Sequence, residues 1–130
     1  MNTDLSSLAR LSDSELVARV KNLAGRERET MAEIIAHLGE IEARDLYARA
    51  GYKSLFEYIR ETFRFSEQET YNRIAAARAA RRFPVTLELL ADGSINLTTV
   101  RLLAPHLTEE NHRSVLEAAR GKRTHEIEKI

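Results

Sequence analysis

Residues 54–84 read S-L-F-E-Y-I-R-E-T-F-R-F-S-E-Q-E-T-Y-N-R-I-A-A-A-R-A-A-R-R-F-P. Ser54 precedes an apolar run with Glu57 three residues on, and Ser66 repeats the arrangement with Glu69. Each is the form of a capping box: the serine oxygen accepts from a free amide of the first turn, and the glutamate reaches back to the cap amide. Two helices are therefore predicted, with only Arg64 and Phe65 between Phe63, the end of the first, and the cap of the second. So short a connection between two amphipathic helices is the sequence form of a helix-turn-helix. The second helix is basic and rich in alanine.

The rest of the chain follows the same grammar. No segment alternates apolar and polar residues over the length of a strand, so an all-α fold is expected. Ser12 and Glu15 form another capping box, and apolar residues then recur at Leu16, Val20, Leu23, Met31, Ile34, Leu38 and Ile41. This seam predicts either one long amphipathic helix over 13–48 or a helical hairpin broken near Gly25. Gly51 should end it as a left-handed cap, and residues 1–12 should form a flexible N-terminus. The seam is expected to be buried, either within the chain or against a second copy. Beyond the paired helices, Pro84 suits the first position of a helix that stops at Gly93. Asn96 caps a helix ending before Pro105, Thr108 caps one running to Arg120, and Thr124 begins a last one reaching Ile130.

Composition narrows the function classes. The 130 residues fit one domain, with 43% hydrophobic residues for a core and 31% charged residues for a solvated surface. There is no cysteine, so disulfides and thiolate metal sites are ruled out. No signal peptide and no membrane-spanning stretch is legible, which points to a cytoplasmic protein. The net charge is zero, but Arg60, Arg64, Arg73, Arg78, Arg81 and Arg82 gather against Glu61, Glu67 and Glu69. Phosphates feel that local excess, because salt screens charges beyond roughly 8–10 Å.

A helix-turn-helix places the start of its second helix in the major groove of DNA. Gln68, Thr70, Asn72 and Arg73 are the expected base contacts. Gln and Asn can pair with adenine, Arg with guanine, and Thr can touch a thymine methyl. Tyr71 and Ile74 should anchor the helix to the core. Lys53, Arg60, Arg64, Arg78, Arg81 and Arg82 are the candidate phosphate contacts, which position the protein without reading sequence. The histidines, His37, His106, His112 and His125, show no metal-ligand spacing. No phosphate loop and no nucleophile beside a base appears. The chain thus reads as non-enzymatic, without metal or cofactor. Two functions remain open: binding of double-stranded DNA, with a possible homodimer through residues 13–48, or a helical interaction domain that binds no nucleic acid.

Two resemblances attach to these residues. Ser66, L-L-A-D-G at 89–93, I-N-L-T-T-V-R-L-L at 95–103 and E-I-E at 126–128 resemble the central DNA-binding region of ParB-type partition proteins. That likeness implies a helix-turn-helix DNA-binding region over 51–130, following the helix or helix pair of 13–50. L-S-D-S-E-L-V-A-R-V-K, G-Y-K-S-L-F-E-Y, A-A-R-A-A-R-R-F-P and L-L-A-P-H-L-T-E-E-N-H are similar to the N-terminal helical region of bacterial proteins that carry a C-terminal HNH endonuclease module. This second likeness implies a DNA-binding or assembly role in a longer protein, truncated here, with cleavage done elsewhere.

Overall fold

The computed structural model describes residues 4–128, and among these every regular element is helical. The order is α1 (Leu5–Ala9), α2 (Asp13–Ala43), α3 (Leu46–Arg49), α4 (Leu55–Phe63), α5 (Glu67–Arg82), α6 (Val85–Ala91), α7 (Leu97–Leu103), a 3₁₀ turn (Ala104–His106), α8 (His112–Ala119) and α9 (Thr124–Ile127). Residues 5–9 make a short helix capped by Asp4, whose carboxylate accepts from the Ser6 amide. Part of the segment expected to be flexible is therefore helical.

Ser12 starts α2 as the sequence predicts: its hydroxyl accepts from the Glu15 amide at 3.2 Å, and the Glu15 carboxylate accepts from the Ser12 amide at 3.2 Å. The helix runs unbroken through Gly25, so the hairpin alternative does not occur. It ends at Ala43, short of the predicted limit, because Asp45 turns left-handed at φ 53. A short polar side chain is among the few that visit that region routinely. Gly51 takes the left-handed position expected of it, at φ 89.

Only the second half of α2 joins the core. Ala32, Ile35 and Leu38 are buried there, with Met31, Ile34 and Ile41 packed at the margin. In the first half Leu16, Val20 and Leu23 are 41%, 58% and 60% exposed. The expectation of a buried seam thus holds within the chain for one half only. Length explains it. The 31 residues of α2 span about 46 Å, while the 16 of α5, the longest helix it packs on, span about 24 Å.

The centre of the bundle is α5, which packs on α2, α4, α6 and α7. Its buried alanines, Ala76, Ala77, Ala79 and Ala80, let the neighbouring backbones approach. Gly39 of α2 sits over one of them: a β-carbon on it would lie 3.6 Å from the Ala77 carbonyl oxygen. Residues 13–50 and 51–128 therefore share one core. Phe83 closes it at the end of α5, stacked on His112 of α8 with ring centroids 4.4 Å apart.

The later helices follow their caps with one shift. The Asn96 side chain accepts from the Thr99 amide at 2.9 Å and begins α7. Thr108 and Asn111 exchange bonds instead, amide to side chain in both directions, so they close a turn. The helix predicted to start at Thr108 begins only at His112. The last predicted helix is seen as Thr124–Ile127, and its extension to Ile130 lies outside the described residues. Among the described residues no helix is long and apolar enough to cross a membrane.

Candidate nucleic-acid interface

The α4–α5 connection is as short as the sequence predicts. Arg64 adopts φ 58 at the end of α4, and Ser66 caps α5 with both halves of the box, 3.1 Å from the Glu69 amide and 2.8 Å back to its carboxylate. At Ser54 only the forward half forms, to the Glu57 amide at 3.1 Å. The left-handed residue and the cap turn the chain sharply, so the start of α5 emerges beside the end of α4.

Which side of α5 faces solvent then follows from its packing. Gln68, Tyr71, Ala75, Arg78 and Arg82 fall three or four residues apart and form one stripe. Along that stripe Gln68, Tyr71, Arg78 and Arg82 are exposed, and Ala75 is half-buried. Arg101 of α7 stands beside it, and its Nε is buried with no hydrogen-bond partner. Tyr71, Arg78, Arg82 and Arg101 line a shallow concavity of about 340 Å³ together with Ala104 and Pro105.

Two of the expected base contacts do not reach that surface. Thr70 is fully buried, and its hydroxyl donates to the Ser66 carbonyl at 2.8 Å. Arg73 is 8% exposed and lies over the Phe65 ring at 4.4 Å, with the Glu69 carboxylate 3.6 Å from its Nη1. Both point toward the turn and the neighbouring helices, because α5 is enclosed on that side. Tyr71 corrects the expectation in the opposite direction. The sequence pattern has it anchor the helix beside Ile74, yet it is 57% exposed while Ile74 is buried. Three residues on a helix leave a 60° offset, and the edge of the core runs through that gap. Gln68 is exposed and donates to the Asn72 side chain at 2.9 Å. Asn72 is half-buried, at the edge of a groove it shares with Arg28, Met31, Ile95 and Leu97.

The candidate phosphate contacts divide by their partners. Arg78 is bonded to Glu42 of α2 at 2.8 Å, and this hydrogen bond holds its guanidinium pKa above the ordinary value. Arg81 is bonded to Glu40 at 2.9 Å. Arg60 lies 3.5 Å from Glu67 at the start of α5. Lys53, Arg64 and Arg82 are exposed and, among the described residues, make no ion pair. Arg82 rests on the Phe83 ring at 4.7 Å.

The local excess of arginines seen in the sequence is thus partly neutralised from α2. Glu40 and Glu42 lie far from it in the chain, and no window over 60–82 contains them. Arg101 was missed for a related reason: it stands alone in an apolar run, and nothing local marks it. Among the described residues no group of three or more His, Asp or Glu side chains is placed to hold a metal ion. Compared with protein-family models, curated proteins and solved structures, the chain matches none of them.

Proposed function

We propose that this chain is a double-stranded DNA-binding module that meets the duplex with the outward stripe of α5 and the turn before it. Gln68 and Tyr71, with Asn72 at their edge, face the bases. Lys53, Arg64, Arg78 and Arg82, joined by Arg101, contact phosphates. As the likeness to HNH-associated proteins implies, cleavage would be the task of another domain of a longer protein.

The observation that carries this reading is the division of α5 into two sides. Thr70, Arg73, Ile74 and Ala77 lock one side into the bundle, while the other holds Gln68, Tyr71, Arg78 and Arg82 in a single exposed row. A rigid helix with a polar and aromatic reading end and a basic shaft combines base readout with phosphate positioning.

Fluorescence anisotropy with mixed and selected duplexes, at low and moderate salt, tests it. Arg82→Ala should weaken binding to every sequence and lower the salt slope by about one, because a phosphate contact releases a counterion. Gln68→Ala should instead reduce the preference between duplexes. A wild-type chain without affinity for any duplex at low salt would overturn the proposal.

A further inference from the structure

We infer that the free first half of α2 is a self-association arm, which pairs antiparallel with the same segment of a second copy of this chain. The arm carries Leu16, Val17, Val20 and Leu23, each between 41% and 60% exposed, on consecutive turns of one helix. Among the described residues these are four of the seven exposed large apolar side chains, gathered on an element that its own core does not reach. Apolar surface concentrated in this way marks an interaction site.

The spacing of the stripe fits a copy of itself. Set two arms antiparallel with Val20 opposite Val20. Leu16 then meets Ala24 of the partner subunit, and Val17 meets Leu23 of the partner subunit. Every apolar position of the stripe finds an apolar neighbour, and the small Ala24 makes room for the larger Leu16. A two-fold contact requires this self-complementarity, since the same patch serves both subunits.

Charge selects the direction. The start of the arm is acidic, with Asp13 and Glu15, whereas its flanks further on carry Arg19, Lys21, Arg26 and Arg28. Antiparallel pairing sets the acidic start of one arm against the basic end of the other. A parallel pair would set like against like along its whole length. Like charges meet at two places in this register: Asp13 with Glu27 at each end, flanked by Arg26 and Arg28, and Arg19 with Lys21 beside Val20, where both long side chains are exposed and can turn outward to solvent.

This inference does not depend on DNA binding and can fail separately from it. The chain has no cysteine, so cysteines introduced singly report contacts cleanly. Sedimentation velocity of the full chain, without DNA, should show a mass rising with concentration from one copy to two. Val20→Glu should abolish that rise while leaving the helical circular dichroism intact, because the arm is not part of the core. Under mild oxidation Val20→Cys should form a disulfide-linked dimer several-fold faster than Asn22→Cys, which lies on the opposite side of the arm. A wild-type chain that stays monomeric throughout the concentration series would overturn the inference. So would equal crosslinking of the two cysteine variants, or a dimer that Val20→Glu leaves unchanged.

Discussion

Arg78 donates to both carboxylate oxygens of Glu42, with Nε 3.1 Å from each and Nη2 2.8 Å from Oε2. The pair ties the outer side of α5 to the end of α2. One turn further, Arg81 is held by Glu40 at 2.9 Å, and Arg44 shares the same carboxylate. Arg78 of the proposed DNA interface, like Arg81 beside it, is thus partly occupied by the protein itself. A phosphate approaching Arg78 must compete with Glu42.

That competition gives the first prediction. Glu42→Gln should raise the affinity for duplex DNA and steepen its salt dependence, because it frees a positive charge on the exposed stripe. The Arg78 side chain is 61% exposed and that of Glu42 32%, so the pair is screened and its loss should cost less than about 1 kcal/mol. Anisotropy and a thermal melt on the same variant separate the two effects. Unchanged or weaker DNA binding would remove Arg78 from the interface.

Arg73 is expected to act through the fold. Its guanidinium packs on Phe65 and caps the inner side of the turn. Arg73→Ala should lower stability by about 1–3 kcal/mol, through lost packing and a lost cation–π contact. Binding by the fraction that remains folded should change little. Urea titration measures the first quantity and anisotropy at a stable temperature the second. A variant of wild-type stability with altered sequence preference would return Arg73 to the reading surface.

The helical class, the capped starts of α2, α5 and α7 and the two-residue turn were legible in the sequence, because each rests on residues within four positions of one another. The sides of α5 were not. Whether Tyr71 or Arg73 faces solvent depends on where α2 and α7 lie, and those contacts join distant parts of the chain. The same holds for the ion pairs of Arg78 and Arg81, whose partners sit 36 and 41 residues away. The idle half of α2 was hidden for a third reason. Its seam carries the apolar period of a buried helix, and periodicity does not record how long the opposing surface is.

Arg64 supplies a test of the turn. At φ 58 it adopts a conformation that costs a side chain with a β-carbon roughly 1–2 kcal/mol. Arg64→Gly should remove that strain, and after the added freedom of the unfolded chain the net gain should be about 0.5–1 kcal/mol. The same change removes a candidate phosphate contact, so DNA affinity should fall as stability rises. Arg64→Ala should lose affinity without the gain in stability. A loss of stability in Arg64→Gly would mean the turn is not left-handed at this residue.

Acid should weaken the molecule in a defined way. The hydrogen bond from Arg44, and after it that from Arg81, holds the Glu40 carboxyl below its ordinary value of 4.5. The Ser66 amide, followed by the Ser66 hydroxyl, does the same for Glu69. Lowered folded values mean that the unfolded chain takes up protons first. This stability is therefore fully present above the ordinary carboxyl range and is lost as the pH falls through the folded values. Melting temperature should be level near neutrality and drop in acid, with a shallower drop in Glu40→Gln. An identical acid slope in that variant would show that Glu40 titrates alike in both states.

Two glycines should respond to alanine in opposite directions. Gly39 lies inside α2, where a β-carbon would meet the Ala77 carbonyl oxygen at 3.6 Å and the Arg81 side chain at 3.8 Å, both ordinary contacts. Gly39→Ala should then gain about 0.5–1 kcal/mol from helix propensity alone. Gly93 ends the turn after α6 at φ 83, and a β-carbon there would come within 2.8 Å of Arg28 Nε. Arg28 can swing away, but the backbone cannot relax, so Gly93→Ala should lose roughly 1–2 kcal/mol. Urea midpoints, with the slope checked for constancy, read both changes. A loss at Gly39 would mean that α2 and α5 approach more closely than the structure has them. A gain at Gly93 would remove the left-handed turn that Arg28 of α2 packs against.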